Sequence, residues 1–119
     1  MERESQSERE SALAIIVEQR EDASAIRLEG AIDIGLAAEL KRTLLDALKA
    51  DKTVLVALDA NADLDVTAIQ LLWAAGREAK ASGVEIRLDG EVPAAVSVGL
   101  KEAGFERFPV PVQAGRCKR

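Results

Sequence analysis

Apolar residues recur along this chain at two spacings, and the alternation between them predicts the elements. The aliphatic run Leu13–Val17 and the alternation Ile26, Arg27, Leu28, Glu29 predict two strands, and the polar stretch 19–24 between them predicts a hairpin. Gly30 permits a bend in the backbone. Leu36, Leu40, Leu44, Ala47 and Leu48 then fall at helical spacing through good helix formers, which predicts a first amphipathic helix. Val54–Leu58 is a continuous apolar run, the pattern of a strand buried on both faces, and is expected in the middle of the sheet. Ile69, Leu72, Trp73, Ala75, Gly76 and Ala79 form a second helical stripe ending near Gly83. A strand over Val84–Leu88 follows. A third stripe, Val92, Val96, Leu100 and Ala103, starts near Pro93 and stops at Gly104. Two strands followed by helix, strand, helix, strand, helix is an α/β order. It predicts a small mixed β-sheet of four to five strands with about three helices packed on it.

The ends of the chain break these patterns. Residues 1–11, MERESQSERES, contain no aliphatic residue after Met1 and are expected to form a disordered arm. The domain is expected over residues 12–108, with Phe105 and Phe108 as its last apolar anchors. Pro109, Pro111 and the basic Arg116–Arg119 end are expected to form a tail over 109–119. A length of 119 residues with 48% hydrophobic and 31% charged residues fits one globular domain with a single core.

Charge and composition narrow the chemistry. Sixteen Lys and Arg against 21 Asp and Glu leave a net charge of −5, which opposes attraction to nucleic acid or anionic lipid, so neither is an expected partner. The absence of histidine removes imidazole catalysis and histidine metal ligands, and the single cysteine, Cys117, can form neither an internal disulfide nor a multi-cysteine metal site. No apolar run approaches the roughly 20 residues that span a bilayer, and the charged N-terminus is no signal peptide, so membrane insertion is not expected and the cytoplasm is the expected location. Neither a metal nor a cofactor is expected, and with no cluster of nucleophile, base and oxyanion donors the chain is not expected to be an enzyme.

One short turn carries the candidate chemistry. Asp65 precedes the second helical stripe and is a good N-cap residue, which puts Val66 and Thr67 in the first turn, where free backbone N–H groups favour anions. Asp33 precedes the first helical stripe and reads either as a second N-cap or as a group lining the same surface. Thr67 reads either as a polar first-turn residue or as a recognition site. Trp73, beside Leu72, is expected to be partly buried in the core.

Three segments resemble a known family: Arg27-Leu28-Glu29-Gly30-Ala31-Ile32-Asp33, Asp65-Val66-Thr67-Ala68-Ile69, and Arg77-Glu78-Ala79-Lys80-Ala81-Ser82-Gly83. The chain from about Leu13 to Phe108 resembles the STAS domain, found in sulphate transporters and bacterial anti-sigma-factor antagonists. The family's Asp-Ser-Ser-Gly turn falls on Asp65, Val66, Thr67 and Ala68, so the resemblance puts Thr67 at the phosphorylated position. It implies a partner-binding surface of Asp33, Asp65, Val66, Thr67 and Ala68. Val66 replaces the first serine and Ala68 the glycine, and the loop from Asp59 to Asp65 is about two residues shorter than the family's. The implied function is a bacterial signalling module acting in transcription regulation: an antagonist docking an anti-sigma factor with serine/threonine kinase activity, released when Thr67 is phosphorylated. The alternative is a non-phosphorylated adaptor subunit of an ABC phospholipid-transport, chemotaxis or stress-signalling assembly. Direct nucleotide or small-anion binding ranks behind both, because there is no Gly-rich phosphate loop.

Overall fold

The computed structural model describes residues 14–50 and 52–111. The expected arm over 1–11 and the tail beyond Pro111 lie outside the described residues. In chain order the elements are strands β1 (Ile15–Gln19), β2 (Ala23–Leu28) and β3 (Ala31–Ile32), a 3-10 turn (Ile34–Leu36), helix α1 (Ala37–Lys49), strands β4 (Thr53–Leu58) and β5 (Asp63–Leu64), helix α2 (Val66–Ser82), strand β6 (Ile86–Leu88) and helix α3 (Ala94–Glu102).

β1 and β2 form the expected antiparallel hairpin, with Ile15 opposite Leu28 and Val17 opposite Ile26. β4 joins β2 in parallel and β6 joins β4 in parallel, giving a four-stranded mixed sheet of order β1-β2-β4-β6. A right-twisted strand leading through a helix to a parallel neighbour crosses over with right-handed chirality. Because β2, β4 and β6 succeed one another in a single direction, both crossovers carry their helices to the same face of the sheet.

The register puts Ile26, Leu28, Val54, Val56, Ile86 and Leu88 on that covered face, where each is buried. Against them α1 packs Leu40, Leu44, Ala47 and Leu48, and α2 packs Ala68, Ile69, Leu72, Ala75 and Ala79. Ser24, the buried polar residue of β2, donates its hydroxyl hydrogen to Gln19 Oε1 at 3.0 Å, so its burial leaves no donor unpaired.

The one-sided layer corrects the expectation for β4. The strand is central, but Val54 and Val56 are fully buried while Leu55 and Ala57 on the opposite face are only half-buried. A continuous apolar run therefore served a strand with one covered face. Short side chains such as Ala25 and Ala57 keep the open face from becoming a large apolar patch, and Arg27 on that face pairs with Glu29 at 2.8 Å.

Helix ends follow the local residues. Gly83 ends α2 at φ +76, a left-handed conformation that glycine adopts without a Cβ penalty, and the N–H of Val84 bonds back to the Ala79 carbonyl at 2.9 Å. This cap delays the last strand to Ile86–Leu88 from its expected start at Val84. Gly99 lies inside α3, where a Cβ would approach the Leu64 carbonyl oxygen at 3.5 Å, an ordinary contact. Gly99→Ala is therefore expected to stabilise the domain by about 0.5–1 kcal/mol through lost backbone freedom in the unfolded chain, read as a higher urea midpoint.

The packing runs past the expected end of the domain at Phe108. Val110 is 1% exposed and belongs to the core, and the backbone N–H of Leu88 donates to the Pro111 carbonyl at 2.7 Å. Residues 109–111 form a strap along the free edge of β6. The prolines flanking Val110 remove two amide donors from the strap, as suits an edge that must recruit no further strand. A single valine between prolines carries no periodic signal, so the sequence pattern gives no sign of an apolar anchor beyond Phe108.

Candidate functional site

A second, two-stranded sheet builds the candidate site. β3 and β5 pair in parallel, Ala31 with Asp63 and Ile32 with Leu64. The N–H of Asp63 donates to the Gly30 carbonyl at 2.8 Å, and that of Asp65 to the Ile32 carbonyl at 3.2 Å. Each short strand is followed by an aspartate that opens a helical turn, so the pairing sets the two helix starts side by side. Asp33 Oδ1 accepts from the Gly35 N–H at 2.9 Å, and Asp65 Oδ1 accepts from the Ala68 N–H at 3.0 Å.

The two readings of Asp33 are thus compatible: it caps the 3-10 turn, and the β3–β5 pairing brings it to the surface that Asp65 caps. Asp65 is the N-cap of α2, with extended backbone at φ −81 and ψ 178. Its carboxylate satisfies the third N–H of the helix, leaving those of Val66 and Thr67 as the outward donors of the first turn. Asp65→Ala is expected to cost about 1 kcal/mol and Asp65→Asn much less, which thermal unfolding of the two variants would separate.

Thr67 is half-buried in this first turn, and no hydrogen bond among the described residues occupies its hydroxyl. Ala68 is buried beneath it at 2% exposure, so the position that is glycine in the family's turn here contributes a methyl group to the core. Val66 is 49% exposed. Of the five residues expected to form the surface, Asp33, Asp65, Val66 and Thr67 are reachable from outside and Ala68 is not.

Sequence reasoning missed the apolar neighbours. Ile34, directly after the Asp33 cap, is 74% exposed, and Val98 on α3 is 55% exposed. A groove of about 560 Å³ runs between the start of α2 and α3, lined by Asp63, Asp65, Val66, Val98 and Glu102 among others. Val98 lies off the buried Val96 and Leu100 stripe of its own helix, and this was the signal available for it. The groove exposes the branched aliphatic side chains of Val66 and Val98 beside the carboxylates of Asp63, Asp65 and Glu102. Among the described residues no three His, Cys, Asp or Glu side chains group as a metal site would require.

Trp73 departs from its expected core position and is 45% exposed. The buried face of α2 runs through Ala68, Leu72, Ala75 and Ala79; Trp73, about 100° round from Leu72, falls on its flank. The Arg77 guanidinium carbon sits 4.9 Å from the centroid of its ring, a cation–π contact.

The domain is two-layered, with a capped helix start beside a parallel pair of short strands. The chain belongs to the STAS domain family: the family model described as "Mlab, STAS domain" matches residues 15–111, which include the strap. No sequence among the curated proteins matches the chain.

Among solved structures, the chain is similar to Mglu at 26% identity and TM-score 0.58, over 71% of this chain and 21% of that one, so it spans about a fifth of Mglu. An anti-sigma factor antagonist from Mycobacterium paratuberculosis aligns at 16% identity and TM-score 0.64, over 87% of this chain and 89% of that one. A putative anti-sigma factor antagonist from Thermotoga maritima aligns at 14% identity and TM-score 0.66, over 87% and 91%. These last two likenesses establish the shared fold along nearly the whole of each chain.

Proposed function

We propose that the chain is an antagonist-type regulatory module that docks a protein partner through the surface of Asp33, Asp65, Val66 and Thr67, and that phosphorylation of Thr67 releases the partner. The observation that carries this reading is the β3–β5 pairing, which sets two aspartate-capped turns side by side, with half-buried Thr67 in the first turn of the helix that Asp65 caps. The partner that fits is an anti-sigma factor with serine/threonine kinase activity, because such a protein both recognises the neutral hydroxyl and modifies it.

A phosphate at Thr67 would add about −1.5 to −2 charge next to Asp65 and Asp33. The first-turn N–H groups and the helix dipole of α2 would partly compensate that charge within the domain. A partner surface matched to the hydroxyl would instead meet uncompensated repulsion and a desolvation cost, so release requires no refolding. In this reading the module acts by binding and not by turnover.

Intact-mass measurement after incubation with an anti-sigma-type kinase and ATP tests the switch. The expected result is one added phosphate, lost in Thr67→Ala; an unmodified mass in the wild type would remove phosphorylation from the proposal.

A second reading is favoured by Val66, which presents an apolar side chain where the family's turn carries a serine, and by the Mlab description of the matching family model. In it the same surface is a permanent contact within an ABC phospholipid-transport assembly, with Thr67 as an unmodified contact residue. Co-purification with an ATPase, undisturbed by kinase and ATP, would decide for this reading.

A further inference from the structure

The outward face of α2 carries a stripe that the docking reading uses only at Val66. Val66, Gln70, Trp73, Arg77 and Lys80 are all exposed and follow one another at intervals of four, three, four and three residues, the spacing of a helix–helix seam. They point away from the core, which takes Ala68, Ile69, Leu72, Ala75 and Ala79. Val66 at its N-terminal end and Trp73 at its centre, two turns apart, are the apolar members of this stripe, at 49% and 45% exposure.

The two ends of the stripe have opposite charge. Asp63 and Asp65 lie at its N-terminal end, with Glu102 of α3 across the groove. Arg77 and Lys80 lie at its C-terminal end, where Glu85, the nearby carboxylate, is already held by Arg87 at 2.6 Å.

A surface with opposite charges at its two ends is complementary to itself when turned end for end, the requirement of a two-fold interface. We propose that this face is the contact between two copies of the chain, with α2 packed antiparallel on α2 about an axis near Gln70. In that arrangement Trp73 of each copy covers Val66 of the other. Arg77 and Lys80 of each face the Asp63 and Asp65 end of the other, so every opposed pair is made twice. An exposed tryptophan already stacked under an arginine suits an interface centre, since the ring contributes large area and the stacked pair has less rotamer freedom to lose.

The general repulsion between two chains of net charge −5 disfavours other orientations and leaves this one, in which unlike charges meet. The contact stands independently of the docking reading, but it covers Val66 and borders Thr67. Self-association and partner docking at that surface therefore exclude one another.

Sedimentation velocity of the full chain from about 1 µM to about 1 mM, with Trp73 fluorescence over the same range, tests the contact. The wild type is expected to pass from monomer to dimer as concentration rises, with tryptophan emission moving to the blue on the same isotherm. Arg77→Asp and Asp63→Arg, each checked as folded by circular dichroism, are each expected to weaken the dimer at least about tenfold. An equimolar mixture of the two is expected to dimerise again, because each then meets its opposite charge.

Three outcomes would overturn the proposal: a wild-type chain that stays monomeric throughout, a dimer that survives both substitutions, or charge variants whose mixture remains monomeric. In the first case, Trp73 emission that shifts only when an anti-sigma-type kinase is added would assign the face to a different protein.

Discussion

Val110→Asp is expected to unfold the domain or leave it barely folded, although the residue lies ten from the end of the chain between two prolines. Val110 is 1% exposed and packs in the core formed by both principal helices and the sheet, so a carboxylate there would be buried without a partner. Leaving an uncompensated charge in such a place costs about 3–5 kcal/mol, a large share of the roughly 5–15 kcal/mol that holds a domain of this kind together. Val110→Ala removes only apolar contact and is expected to cost a fraction of that, which separates loss of packing from burial of charge. Urea unfolding followed by circular dichroism measures both. A wild-type midpoint for Val110→Asp would show that residues 109–111 do not complete the core and that the domain ends at Phe108.

If the proposed docking surface is used, Thr67→Glu is expected to weaken the complex with the proposed partner by roughly tenfold to a hundredfold, which corresponds to about 1.4–2.7 kcal/mol. The substitution puts one negative charge in the first turn of α2, where the domain itself tolerates it because the helix N-terminus favours anions and no acidic residue yet occupies that turn. Thermal stability is therefore expected to stay within about 1 kcal/mol of the wild type. The partner receives no such compensation: the added carboxylate lies beside the capping carboxylates of Asp33 and Asp65 and must be desolvated against a surface complementary to a hydroxyl. Thr67→Ala is expected to bind within about threefold of the wild type, since it removes one hydroxyl contact and adds no charge. Calorimetric titration of the three chains into an anti-sigma-type kinase measures the series. Equal affinities for Thr67→Glu and wild type would mean that the partner does not meet the start of α2.

The capped turn was legible in the chain because its signals are local. Asp33 and Asp65 are residue types whose carboxylates satisfy helix N–H groups two or three positions on, and both do so. What brings the two caps together is a pairing between strands of two residues each, Ala31–Ile32 and Asp63–Leu64, too short for any periodic pattern to reveal. Ile34 and Val98 were missed for a related reason: an apolar residue is assigned to a core by default, and only the position of neighbouring elements shows that nothing covers it. Trp73 failed the same default, since one hundred degrees of rotation separates it from buried Leu72.

Residue order alone determined the four strands of the main sheet, the three helices and their succession. Alternation and helical spacing arise from the geometry of strand and helix, and caps such as Gly83 act within a few residues of themselves. Tertiary structure decided which face of each element meets another and which stays open. The handedness of two successive crossovers put α1 and α2 on a single side, leaving β4 half uncovered. The strap tied Val110 into the core, and the β3–β5 pair made one surface from two distant aspartates. Each of these depends on the relative placement of residues far apart in the chain, where side-chain periodicity carries no information.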